Sequence, residues 1–440
     1  MTGAVWEEPV QGELFPREWL GLSGIDQLRL FLSGHVGLPP IGRLTGMHLT
    51  ELGVGSATFV MPITGWLQSP QGLMTAGAVA ILADGPLGCA IQTTLQPATG
   101  YTTTELSMNM VRPAPRSGNL IGRGRIVHVG RQMGLSEVFV TDDGGRLIAH
   151  GTSRCAIFPP AADAPPPPSE LPAPTVAQEQ AAAPFARPVV GAVLGEEEFQ
   201  TRSGLEVMEG LASGELPPPP ATHLLRVRPT VATEGMCEFS MPATGWLASP
   251  SGVVEGGVTA FLTDNTLGAA MQTTVPAGTA IAPTDLRVQF LRPVATDGAL
   301  LTARASVLHR GRSFAAARAS HERTGQARRP RRCVGSHPPQ STSRPARWTT
   351  AWLSPHPPRS ALPPSEQPDA THSDAHRLPD PLPDCSAQND AWRCGPSAPE
   401  PAIRAAVPTS ATCSRSAVSQ VVRRRAHLRS RQSISHRRAR

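Results

Sequence analysis

The 440-residue chain is 40% hydrophobic and balances 40 basic against 34 acidic residues, every basic one an arginine, so cores for two or three ordinary domains are affordable but the basicity needs locating. Residues 1–319 carry 20 Arg against 26 Asp plus Glu, whereas residues 320–440 carry 20 Arg against 8, so a mildly acidic body precedes a basic tail. The chain opens without a basic n-region leading into an apolar run, no apolar stretch reaches membrane-spanning length, and the seven cysteines form no CxxC or Cys/His pattern; a secretory leader, a membrane span, a disulfide framework and a zinc site are therefore not expected, and a soluble cytoplasmic protein with reduced thiols is.

Residues 1–22 read as a short arm containing Trp6 and Trp19. A repeat begins at Ser23, where SGIDQLRLFLSG answers to SGLEVMEGLASG at Ser203, and the offset of 180 holds through residue 120. Within each copy, GSATFVMPITGWLQSPQG or GMCEFSMPATGWLASPSG alternates as a strand and then turns into a loop. Residues 72–88, GLMTAGAVAILADGPLG, follow as a helix from Ala76, matched by residues 252–268, GVVEGGVTAFLTDNTLG. Gly77, Ile81, Asp84 and Gly88 share one face of that helix, as do Gly257, Phe261, Asp264 and Gly268. The glycines would admit a neighbouring backbone, and one carboxylate stands on each stripe.

Period-two strands come next: TTTELSMNMVRP with Leu106, Met108 and Met110 on one face, and APTDLRVQFLRP in the second copy. Two further strands meet at Gly130, and at Gly311 in the second copy, where hairpins should turn; His128 and His309 beside them are expected to be structural. The first copy adds SEVFVTD, a DGGR turn and LIAHGTSRCAIF. One long helix and a strongly curved antiparallel meander make each unit α+β, the sheet wrapping the helix. The units span residues 23–158 and 196–319, joined by a Pro/Ala-rich linker at 159–195 expected to be extended and semi-rigid. The second unit loses the pattern of its last strands near Ala319, and residues 320–440 show only Arg, Pro, Ser, His and isolated Trp. That tail is expected to be disordered, and a reading-frame change near residue 320 would account for it. Nucleic-acid binding by its arginine runs is not expected, since no motif presents them.

The motif Gly72-x-x-Thr75-Ala76-Gly77-x4-Leu82-Ala83-Asp84, with the strand Thr103-Thr104-Glu105-Leu106 and Arg112-Pro113, resembles the hot-dog-fold acyl-CoA thioesterases of the PaaI-like group, whose signature is His-Gly-Gly-x4-Leu-x-Asp. The resemblance covers both units. It implies an intramolecular pseudo-dimer, open to further homo-oligomerisation, with two inequivalent sites between the units, an acyl-CoA substrate, and neither metal nor redox cofactor. The helix carboxylate, Asp84 or Asp264, corresponds to the family's base or nucleophile, and the backbone N–H of Ala76 or Gly256 to its oxyanion donor.

The chain departs from that signature in places. Thr75 and Glu255 stand where the family has His, Ser69 and Ser249 where a polar residue, often Asn, lies six positions earlier, and Thr103 has Pro283 as its counterpart. Because carboxylate and donor come from opposite units in the family, one site would combine Asp84 and Thr103 with Ser249, Glu255 and Gly256, and the other Asp264 with Ser69, Thr75 and Ala76. The Asp84 site keeps more of the pattern. Glu255 beside Asp84 would either raise one carboxylate's pKa to suit a general base or repel an anionic intermediate. Arg112, Arg131, Arg292 and Arg312 are candidate contacts for coenzyme A phosphates. The alternative to hydrolysis is a non-catalytic acyl-CoA-binding or regulatory protein; a hot-dog dehydratase would want a His near the helix, and neither helix offers one. Intact mass of the native protein tests the frame change: a mass matching the full 440 residues excludes it.

Overall fold

The computed structural model describes residues 5–169, 183–324, 348–353 and 424–425. The first half runs through helices α1 (Gly24–Leu32) and α2 (Pro40–Thr45), strands β1 (His48–Gly53) and β2 (Ser56–Pro62), the long helix α3 (Ala76–Gln92), and strands β3 (Tyr101–Met110), β4 (Asn119–Val129), β5 (Met133–Asp142) and β6 (Leu147–Ile157). The second half repeats this with α4 (Glu196–Thr201), α5 (Gly204–Ser213), α6 (Pro220–Leu224), β7 (Arg228–Thr233), β8 (Met236–Pro242), α7 (Gly256–Gln272), β9 (Thr279–Ala280), β10 (Pro283–Gln289), β11 (Leu300–Arg310), β12 (Phe314–Thr324) and β13 (Trp348–Leu353); β14 (Arg424–Arg425) pairs with β9.

The sheet order is β1-β2-β4-β5-β6-β3-β10-β13-β12-β11-β8-β7. Read from its centre, the two halves mirror each other strand for strand. They meet at β3 and β10, antiparallel, with Leu106 opposite Val288 and Met108 opposite Leu286, and all four side chains are fully buried. Each half is thus a hot-dog unit, one long helix wrapped by six antiparallel strands, and the two sheets fuse into one. The helices α3 and α7 are apolar on nearly every side because each has sheet on one side and the other helix on the opposite side. Burying an aliphatic side chain such as Ile81 or Leu262 at this seam contributes roughly 1.5–3 kcal/mol.

The expectation that the second unit lacks its last strands is corrected. β12 continues past the Ala319 boundary to Thr324 and pairs with β11 along its whole length. The place that β6 holds in the first half is taken by β13, whose backbone pairs with both β10 and β12. The sequence shows no pattern there because the strand follows β12 after 23 residues, whereas β6 follows β5 after four. The rest of the tail expected to be disordered, with any frame-change junction beyond Thr324, lies outside the described residues.

The described end of the linker, residues 183–195, is more than a spacer. Residues 183–195 repeat the N-terminal arm at an offset of 179: Glu8-Pro9-Val10-x-Gly12 answers to Arg187-Pro188-Val189-x-Gly191, with Gly12 and Gly191 both in the left-handed region (φ 106° and 102°). Each copy lies across the other half. The Phe15 N–H donates to Pro250 O at 2.9 Å and the Leu194 N–H to Pro70 O at 2.8 Å, while Val10 packs on Gly245 and Val189 on Gly65. Where the straps face each other, Arg187 forms a two-pronged ion pair with Glu8 at 2.6 and 2.9 Å.

The helix glycines are required by the approach of α3 to α7. A methyl group on Gly77 would lie 2.6 Å from Phe261 Cα, and one on Gly257 2.6 Å from Ile81 Cα, backbone that cannot step aside. Gly77→Ala or Gly257→Ala should therefore destabilise the fold by about 1–3 kcal/mol, read as a lowered urea midpoint; an unchanged midpoint would refute the tight contact.

Candidate active site

Each long helix is entered from a short loop fixed by the same local chemistry. The Ser69 N–H donates to Leu73 O and the Ser249 N–H to Val253 O, both at 2.8 Å, and the turns close at Gly72 (φ 70°) and Gly252 (φ 83°). The left-handed backbone at these positions is why the motif begins with glycine. Thr75 then caps α3, its hydroxyl accepting the Ala78 N–H at 3.2 Å. Glu255 occupies the same position on α7 without any side-chain cap.

The two aspartates cross over. Asp84 of α3 accepts the Gly257 N–H at 3.0 Å, and Asp264 of α7 accepts the Gly77 N–H at 2.8 Å. Each carboxylate thus sits at the positive end of the opposite helix, as the pairing of carboxylate with the other unit's loop requires. The donor to each carboxylate is the second residue of the helix. The Ala76 N–H makes no hydrogen bond among the described residues.

Asp264 has no solvent-accessible surface, and its Oδ1 lacks a hydrogen-bond partner among the described residues. Burial raises its pKa to about 7, opposed by the Gly77 N–H and the Thr75 hydroxyl. It lies on the wall of a cavity of about 400 Å³ formed by both halves: Ser69 and Thr75 from the loop before α3, Arg112 after β3, and Asp264, Asn265 and Gln272 along one face of α7. Its remaining lining is chiefly apolar, including Val207, Leu211, Phe239 and Ile281. The next two cavities, about 10 Å³ each, border neither aspartate.

The Asp84 side is built differently. The Thr103 hydroxyl reaches Asp84 Oδ1 at 3.4 Å, and a methyl on Gly256 would lie 2.8 Å from Asp84 Oδ2, so Asp84, Thr103 and Gly256 do come together. Burial raises the Asp84 carboxyl, opposed by the Gly257 N–H, Thr103 and Gly256. Glu255 is buried next to them with Oε2 unpartnered, and burial followed by the charge of Asp84 pushes it well above the ordinary carboxylate range. Ser249 hydrogen-bonds to Ser251 at 2.9 Å at an exposed position. Where Gly268 of the other half faces open cavity, Gly88 faces Tyr101, whose hydroxyl oxygen would be 2.7 Å from a methyl there.

Of the four arginines, Arg112 alone lines the cavity; its counterpart Arg292 follows β10, and Arg131 and Arg312 are exposed at the hairpins after β4 and β11. Asn265 and Gln272 were not singled out from sequence, since neither belongs to the motif and the first copy has Gly85 in place of Asn265. Among the described residues no group of three or more His, Cys, Asp or Glu side chains is placed to hold a metal, and no helix is long and apolar enough to cross a membrane.

Residues 71–149 and 251–324 match the thioesterase superfamily. No curated protein matches the chain. Among solved structures, a putative thioesterase from Novosphingobium aromaticivorans is 14% identical over 69% of this chain and 97% of its own, with a TM-score of 0.42. A putative thioesterase, phenylacetic acid degradation-related, from Ralstonia eutropha is 24% identical over 29% of this chain and 97% of its own (TM-score 0.28), and a thioesterase from Haemophilus influenzae 18% over 27% and 81% (TM-score 0.26).

The raised pKa of Asp264 fixes a stability signature. Its folded form holds a proton that the unfolded chain has lost, so the stability this provides is complete below the ordinary aspartate range and is lost as pH rises to about 7. Asp264→Asn should match the parent below pH ~4 and exceed it by up to roughly 4 kcal/mol above pH ~7, measured by chemical denaturation at a series of pH values. A gain that shrinks as pH rises would contradict the assignment.

Proposed function

We propose that this chain, each half of which matches the thioesterase superfamily, hydrolyses an acyl thioester at Asp264. The observation that carries the reading is the cavity that joins Asp264 of one half to Ser69, Thr75 and the head of α3 from the other. Hydrolysis needs a base to raise the nucleophilicity of water, a donor for the oxygen that becomes anionic, and an apolar space for the acyl group. Asp264 has an unengaged Oδ1 and a pKa of about 7, the range in which a base is both deprotonated and effective near neutrality. The Ala76 N–H, first in α3, stands at a helix end where developing negative charge is favoured.

The finer reading is an acyl-CoA substrate. The apolar lining suits a hydrocarbon acyl group, and Arg112 on the cavity wall offers a guanidinium for a phosphate. Loss of the signature His does not count against chemistry here, because Thr75 supplies the cap and the backbone donor is independent of side chain.

Release of free thiol from short, medium, long and aromatic acyl-CoAs tests this directly. Asp264→Asn should lower kcat/KM by about 10²–10⁴-fold. In the parent, kcat/KM should rise with pH and level off above about 7 as Asp264 loses its proton. Tight acyl-CoA binding with no turnover would replace hydrolysis by a binding role, and turnover that survives Asp264→Asn would remove this mechanism.

A further inference from the structure

The two halves carry the same backbone frame around Asp84 and Asp264, yet the cavity of about 400 Å³ lined by described residues lies beside Asp264. Three of the paired positions bear on this difference. Tyr101, the chain's single tyrosine, replaces Ile281, Phe31 replaces Leu211, and Glu255 replaces Thr75, so the side chain is larger on the Asp84 side in all three pairs. Ile281, Leu211 and Thr75 line the open cavity. Tyr101 sits over Gly88 with its hydroxyl 2.7 Å and a ring carbon 3.2 Å from where a methyl would be. Phe31 is held edge-on by Phe15 of the N-terminal strap at 5.9 Å between ring centroids, and Gln92 is tied to Gln27 at 3.1 Å, whereas their counterparts Gln272 and Val207 both line the cavity. Asp84 keeps 9% of its surface and Asp264 none, so the difference between the two sides lies in the space beyond the carboxylates.

Building on the hydrolytic reading, we propose that the Asp84 site is a locked copy of the Asp264 site, with Tyr101 and Glu255 standing in the volume that the acyl group occupies on the other side. The buried Glu255 carboxyl adds a chemical bar to the steric one. Two carboxyl groups at one helix head cannot both ionise without strong repulsion, and any charge on the pair also opposes the anion that develops during thioester hydrolysis. Asp84 is thereby a structural acceptor for the Gly257 N–H, and turnover belongs to one centre per chain.

Xenon-pressurised crystals test the lock without reference to any substrate, because xenon enters apolar cavities. In the parent chain xenon should occupy the Asp264 cavity and leave the Asp84 side empty; xenon at both overturns the proposal. In a chain carrying Tyr101→Ile and Glu255→Thr, a second xenon site should open beside Asp84, and a folded variant with that side still closed also overturns it. Should that variant not fold, the parent crystal and Asp84→Asn decide: thiol release by Asp84→Asn should stay within about threefold of the parent, and a loss of a hundredfold or more refutes the lock. In an Asp264→Asn background, the two opening substitutions should raise thiol release at least tenfold. If the parent releases no thiol from any acyl-CoA, the hydrolytic reading fails, while the xenon result still stands for or against the lock.

Discussion

The structure depends on a pair of crossed hydrogen bonds at the seam between two helices. Asp84 takes the Gly257 N–H and Asp264 takes the Gly77 N–H, so each helix head is answered by a carboxylate from the helix beside it. For those bonds to form, α3 and α7 must lie close enough that a single methyl at either glycine would strike backbone. That closeness in turn fixes β3 against β10, joins the two sheets, and leaves the loops before the helices facing the other half's carboxylates. The stabilising contact and the chemically interesting one are therefore the same contact. An aspartate buried there is costly when charged, and the fold tolerates it by supplying donors from backbone that cannot be mutated away.

Two non-identical halves in one chain are free of the symmetry that a homodimer imposes on its sites. In two identical chains, any residue that closes one site closes both. Here Tyr101 differs from Ile281 and Glu255 from Thr75, with open cavity beside Asp264 and Tyr101 standing over Gly88 on the other side. The hydroxyl of Thr103 belongs to the filled side, while Pro283 stands at its counterpart beside the cavity. Similarity to a signature and availability of space have thus separated within one molecule.

Much of this was legible in the sequence, and the reasons differ by level. The helix starts, the β2 and β8 strands, the hairpins at Gly130 and Gly311 and the stripe of Gly, Asp and Gly are written in local periodicity and repeated twice, so chance resemblance is averaged out. The crossing of Asp84 to the loop before α7 followed from the resemblance to a family with composite sites. What escaped was decided by volume and by distant pairing. Signature matching favoured the Asp84 side because it scores residue types, whereas the cavity depends on how much space Tyr101, Phe31 and Glu255 occupy together. An aligned reading of positions 101 and 281 would have shown the size difference. β13 escaped because a strand separated by 23 residues from its neighbour carries no local signal of its partner. The strap at 183–195 escaped because a proline-rich composition resembles a spacer, although its Pro-Val-x-Gly pattern repeats that of the arm.

The ion pair between the straps bears on how the halves recognise one another. Glu8 and Arg187 hold equivalent positions, so they meet face to face across the approximate twofold axis. If two first halves from different chains came together in the same way, glutamate would face glutamate; two second halves would set arginine against arginine. Only unlike halves bring opposite charges into register, and the partly buried setting makes the mismatch costlier than at a fully wetted surface. The arm therefore acts as a mating key: it favours the union of unlike halves over like ones, and so protects the arrangement in which an open site and a closed one occur together.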